Sequence, residues 1–315
     1  MIQMKRTLLL IGMLFLGACS ASRISPTDQV TPETATVTPA IPTPVNPTPL
    51  PDLPGISPEQ VRNSEYQLGF PDQPRTVQLV DGKYQEGEPS GTDYVSVTMT
   101  DFFARGDLNG DGVNEAVAIV AENYGGSGTF VFLAVYQYLN EKAVFLTSIF
   151  LDDRPMINAL SVKDGEIFVD AVIHTSNDPM CCPTLRTTRQ YLLNGINLTL
   201  TDYSTFTPAG QPRTITIEAP VKGAQVPGII RLFGSITIPP FENNLVYRVY
   251  DLGGVELSAG PVNLNAPDSG SLGTFEKAID LGNILTNTTV RIQVEDRNAA
   301  DGSLFAMDSV TLLIR

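Results

Sequence analysis

From Thr76 onward, apolar and polar residues alternate in short runs broken by glycine, asparagine, aspartate and proline. A period of two places successive side chains on opposite faces of a strand. Thr76–Val80 and Tyr94–Met99 alternate in this way. Ala116–Ala121, Phe130–Tyr138 and Val144–Leu151 are richer in apolar, β-branched and aromatic residues. Ala159–Val162, Ile167–Ile173, Arg186–Leu193 and Ile196–Leu200 continue the series. The breaks at Asp81-Gly82, Gly125-Gly126-Ser127-Gly128, Asp164-Gly165 and Asn194-Gly195 carry turn chemistry. Strands about ten residues apart with short turns predict a mainly β, antiparallel meander domain over 56–206, curled into a partial barrel. One helical signal precedes it. Ser57 can cap, Pro58 suits the first helical position and Gln60 closes a capping box, which predicts a short helix to about Tyr66.

The stretch 207–213, TPAGQPR, reads as a linker. Strand patterns then recur at Thr214–Glu218, Gly228–Ile236, Leu245–Tyr250, Val255–Ser258, Thr274–Asp280, Thr289–Val294 and Ser309–Ile314. This density over 214–315 predicts an immunoglobulin-like β-sandwich, one without cysteine or tryptophan. Ile217-x-x-Pro220, Gly223, Pro227, Gly234, Phe241-Glu242-x-Asn244-Leu245, Tyr247-Arg248-Val249-x-Asp251 and Gly254 add a specific pattern, continued by Gly273-Thr274-Phe275 and Asp301-Gly302-Ser303. It resembles the immunoglobulin-like domain of bacterial spore germination proteins. The resemblance implies an accessory module of exported lipoproteins and names no catalytic residue.

The first residues tell where such a chain would reside. Lys5 and Arg6 precede the apolar run Leu8–Leu16, which is too short to span a bilayer. The run ends in Leu16-Gly17-Ala18-Cys19, which resembles the lipobox of bacterial lipoproteins. The resemblance implies a signal peptide over 1–18, cleavage before Cys19, and acyl chains on Cys19 that hold the chain to a membrane. Multiple chains are what stable anchoring requires. Residues 19–55 then form a Pro/Thr-rich stalk, with nine prolines between Ser20 and Gly55. Such a stretch cannot bury enough apolar surface to offset its ordering entropy, and its prolines favour an extended chain. Together these features predict an exported, lipid-anchored protein facing away from the cytoplasm.

The formal net charge is −14, and no basic run occurs. That argues against nucleic acid and against a polybasic contact with anionic lipid. The sharpest motif is Asp107-x-Asn109-x-Asp111-Gly112-Val113-x-Glu115. Side-chain oxygens at positions 1, 3 and 5, a glycine at 6, the Val113 carbonyl and Glu115 suit a hard cation such as calcium. The motif is similar to the calcium loops of EF-hands, dockerins and integrin-type propellers, but Ala118 stands at position 12 and a strand follows. The alternative is an ion-free turn. No organic cofactor is expected.

Cys181 and Cys182 are adjacent in a chain expected to meet oxidising conditions. A mutual disulfide, two reduced thiols and pairing between molecules are the alternatives. His174, the sole histidine, and Asp178 lie close by in sequence. A Cys–His nucleophilic pair would need that histidine. Weighed against a plain surface loop, the motifs leave no catalytic residue assigned. The expected role is non-enzymatic binding or envelope architecture, with an envelope protein or a glycan as partner. The alternatives are a regulator of a wall enzyme, or a thiol or metal enzyme centred on His174, Cys181 and Cys182.

Overall fold

The computed structural model of the chain describes residues 54–70, 75–267 and 270–315. The expected signal peptide, Cys19 and the expected stalk as far as Leu53 lie outside the described residues. The described part is mainly β and antiparallel, with one short helix. No helix among the described residues is long and apolar enough to cross a membrane.

The helix α1 (Pro58–Arg62) begins as expected, with the Ser57 side chain accepting from the Gln60 N–H and Gln60 accepting in return from the Ser57 N–H. It ends at Arg62, not near Tyr66, because Asn63 leaves the helical conformation. Tyr66 instead lies in β1 (Glu65–Gln67), paired with β2 (Thr76–Gln78). A five-stranded sheet follows: β3 (Lys83–Glu86), β4 (Val95–Gly106), β5 (Glu115–Asn123), β6 (Phe130–Leu139) and β7 (Lys142–Asp153). β5 is buried along nearly its whole length, which explains its unbroken apolar run. One face meets α1, β1 and β2 through Val61, Tyr66, Val77, Ala118 and Tyr136. Glu122 fastens this cover. Its fully buried carboxylate accepts from the Tyr66 and Tyr124 hydroxyls and the Gly69 N–H. Burial, with Glu122 adding, pushes the Tyr66 phenol well above its ordinary range.

The meander continues through β8 (Met156–Lys163), β9 (Glu166–Ile173), β10 (Leu185–Asn194) and β11 (Asn197–Phe206). These strands cover the other face of the five-stranded sheet, packing Ile167, Val169, Ala171 and Tyr191 against Val117, Ile119 and Leu133. The expected partial barrel is therefore replaced by two facing sheets. The chain passes between them at Arg154, in a left-handed conformation.

The remaining strands are β12 (Pro212–Arg213), β13 (Ile215–Ala219), β14 (Gln225–Val226), β15 (Ile229–Ile236), β16 (Asn244–Asp251), β17 (Glu256–Asn265), β18 (Gly273–Asp280), β19 (Thr289–Arg297) and β20 (Leu304–Ile314). They enclose a separate core of Leu232, Ile236, Leu245, Val249, Phe275 and Ile292. Among the described strands only β14 pairs in parallel, with β20. The stretch expected as a linker is not a break. β12 pairs with β11, and β11 pairs directly with β20, so one thirteen-stranded sheet runs through both halves.

Candidate functional site

The loop between β4 and β5 closes on itself. The Asp107 carboxylate accepts from the N–H groups of Gly110, Asp111 and Gly112. Asp111 accepts from the Val113 N–H, and Glu115 from the Leu108 N–H. The Asn109 amide nitrogen donates to Asp111 and Glu115 at 3.1 and 3.2 Å, bridging the two carboxylates. Burial first, then the charges of Asp111 and Asp107, push the Glu115 carboxyl up. Among the described residues no group of three or more His, Cys, Asp or Glu side chains is disposed to hold a metal ion as it stands.

The second candidate is the loop between β9 and β10, at the far end of β9 from the turn that lies beside Asp107. About 25 Å of strand separates the two loops, so the structure does not bring these sites together. His174 turns into Asp152, whose Oδ2 accepts from the His174 backbone N–H at 2.5 Å and lies 2.9 Å from Nδ1. This bond raises the imidazole's pKa. Nε2 is buried with no hydrogen-bond partner. Asp153, by contrast, pairs with Arg154 and accepts from the Thr129 N–H, as a local turn would. Cys181 and Cys182 are joined to each other. Asp178 accepts from the N–H groups of Thr175 and Thr184, both at 2.9 Å, and ties the base of the loop.

The third feature, the junction between halves, carried no local signal in the sequence. Asp202 on β11 stands directly opposite Asp308 on β20. Glu166 adds negative charge nearby and pairs with Lys222 at 2.5 Å. Burial, then Asp308 and Glu166, push Asp202 up to about 7. Burial pushes Asp308 up to about 6, against the Ile217 and Ser309 N–H groups that donate to its carboxylate. Across the seam Arg213 Nε lies 2.5 Å from Asp296 Oδ2, an ion-pair contact without hydrogen-bond geometry, and the guanidinium lies over the Phe305 ring at 4.4 Å.

The junction makes stability fall as pH rises. An unfolded aspartate loses its proton near pH 3.9, whereas folded Asp202 keeps it to about 7. The folded state therefore binds more protons across that window and is progressively penalised through it. The protonated His174–Asp152 pair adds stability below the ordinary histidine pKa, and this is lost as pH rises past the raised one. Asp202→Asn is expected to stabilise by about 2 kcal/mol at pH 8 and by almost nothing at pH 4. Urea titrations at both pH values check this, and an equal gain at both would contradict the charge argument.

A groove of about 700 Å³ lies between α1, the β1–β2 pair and the start of β7. Gln67, Gln78, Thr76, Glu65 and Glu141 line it beside Phe145. The chain matches no protein-family model and no curated protein.

Proposed function

We propose that this chain is an exported lipoprotein, anchored by acyl chains on Cys19, whose head binds an envelope partner without chemical conversion. One observation carries the non-enzymatic reading. The chain's only imidazole is turned into Asp152, and the thiols nearest it are bonded to each other. A bonded sulfur is no nucleophile, so the imidazole, oriented by Asp152 through Nδ1, has no thiol beside it to activate. We read 56–206 as an antiparallel β-meander domain with a short helix, and 214–315 as an immunoglobulin-like sandwich. In support of the latter, β13, β15 and β18 share one core with β16, β19 and β20.

The groove beside α1 is the surface we assign to the partner. Amide and carboxylate groups with one aromatic floor suit a hydroxyl-rich glycan, while Glu59, Glu65 and Glu141 against Lys142 disfavour an anion. Wall glycans titrated against the head should bind saturably. Gln67→Ala with Gln78→Ala should weaken binding about tenfold, the equivalent of one or two lost hydrogen bonds. Undiminished binding by that variant would remove the groove from the account.

Calcium at the Asp107 loop is a further part of the proposal. It rests on the mutual repulsion of Asp107, Asp111 and Glu115, which a cation relieves. Binding requires the Asn109 amide to turn its oxygen inward in place of its nitrogen. Millimolar Ca²⁺ should then raise the melting temperature by mass action, more than Mg²⁺ does, and Asp111→Ala should abolish the rise. Identical melts in calcium and chelator would leave only the ion-free turn.

A further inference from the structure

A disulfide between neighbours closes no loop, because no residue lies between its ends. The stabilisation a disulfide gives by restricting the unfolded chain grows with loop length and is minimal here. The loop that carries Cys181 and Cys182 is also held without it. Asp178 ties Thr175 to Thr184 across the base, and the Cys182 N–H donates to the Pro179 carbonyl. Both cysteines are exposed. The bond is therefore open to attack and redundant as a staple. It also sits at the junction of the two halves, because Ser176 in the same loop donates to Asp301 in the loop between β19 and β20 at 3.0 Å.

We propose that Cys181–Cys182 is a two-electron thiol-exchange site, reduced by a dithiol of the exported compartment. A thiolate of the reductant attacks one cysteine sulfur. The S–S bond breaks, and the other cysteine leaves as a thiolate that takes up a proton. The second thiol of the reductant then attacks the mixed disulfide, releasing the first cysteine as its thiol. The protein gains two electrons and two protons, and the dithiol becomes a disulfide. A monothiol stalls at the first step, because the freed neighbouring cysteine attacks the mixed disulfide from within the same loop and restores the original bond. This inference does not depend on which partner the head binds.

The test uses the full chain under native conditions, quenched with an alkylating agent and weighed by mass spectrometry. Untreated protein should gain no alkyl group at Cys181 or Cys182. Dithiothreitol should add one to each, and glutathione at equal thiol concentration should add almost none and leave little mixed disulfide. The reduced protein and the Cys181→Ser/Cys182→Ser variant should both melt within about 3 °C of the oxidised form, the size of a surface change. Resistance to dithiothreitol without denaturant overturns the proposal, as do two free thiols in untreated protein. A fall of about 10 °C on reduction or in the double variant also overturns it, because the bond would then be a structural staple.

Discussion

Cys19→Ala is expected to move the protein from the membrane fraction to the soluble exported fraction and to abolish its labelling by fatty acid. The effect should be close to complete. No helix among the described residues is long and apolar enough to cross a membrane. The apolar run Leu8–Leu16 is too short to span a bilayer, and the acidic chain lacks the basic run that would hold it to anionic headgroups. Lipid chains contribute about 0.8 kcal/mol per buried CH₂, so losing them removes nearly all of the membrane affinity. Retention of the variant on membranes would place the anchor elsewhere and would undo the proposed localisation.

Arg213→Ala is expected to cost about 3–5 kcal/mol, which is on the order of 10 °C in melting temperature. Asp296 is 1 % exposed and Arg213 is its ionic partner. Removing the guanidinium leaves a buried carboxylate without compensation and strips the cation from the Phe305 ring. Burial already raises the Asp296 pKa against the pull of Arg213, so in the variant it should rise further and the loss should be smaller at low pH. Adding Asp296→Asn should recover part of the loss, since it removes the orphaned charge. If Arg213→Ala behaves as a neutral surface change, the seam is not held in the way its geometry indicates.

The strands were legible where burial imposed a period. Arg186–Leu193 maps onto β10, where Thr187, Arg189, Tyr191 and Leu193 alternate as the buried positions. The unbroken run in β5 was legible as a strand for the opposite reason, since both of its faces are covered. β3 escaped notice because Lys83-Tyr-Gln-Glu is a short polar edge strand with no buried residue. Pro212–Arg213 read as linker because a two-residue strand has no period at all. The site was less legible than the fold. The capping box at Ser57 and the Asp107 loop are local, and spacing reveals them. The Asp152–His174 pair and the opposed Asp202 and Asp308 are brought together by sheet register across distant segments, and nothing at either position in the chain points to the other. Glu122 is similar. A lone glutamate ending an apolar run gave no sign that two phenols would close over it.

The central claim is that the anchored head binds an envelope partner and leaves it chemically unchanged. Its most direct test is to incubate the full-length lipidated protein, and separately its His174→Ala variant, with wall glycans and envelope proteins, then to weigh every bound and unbound species by mass spectrometry. The account predicts saturable capture of a partner whose mass is unaltered apart from the two hydrogens a dithiol would lose to Cys181–Cys182, with equal capture by the variant. A partner or glycan whose mass changes with the intact protein, and stays unchanged with His174→Ala, would contradict it and establish catalysis at the loop between β9 and β10.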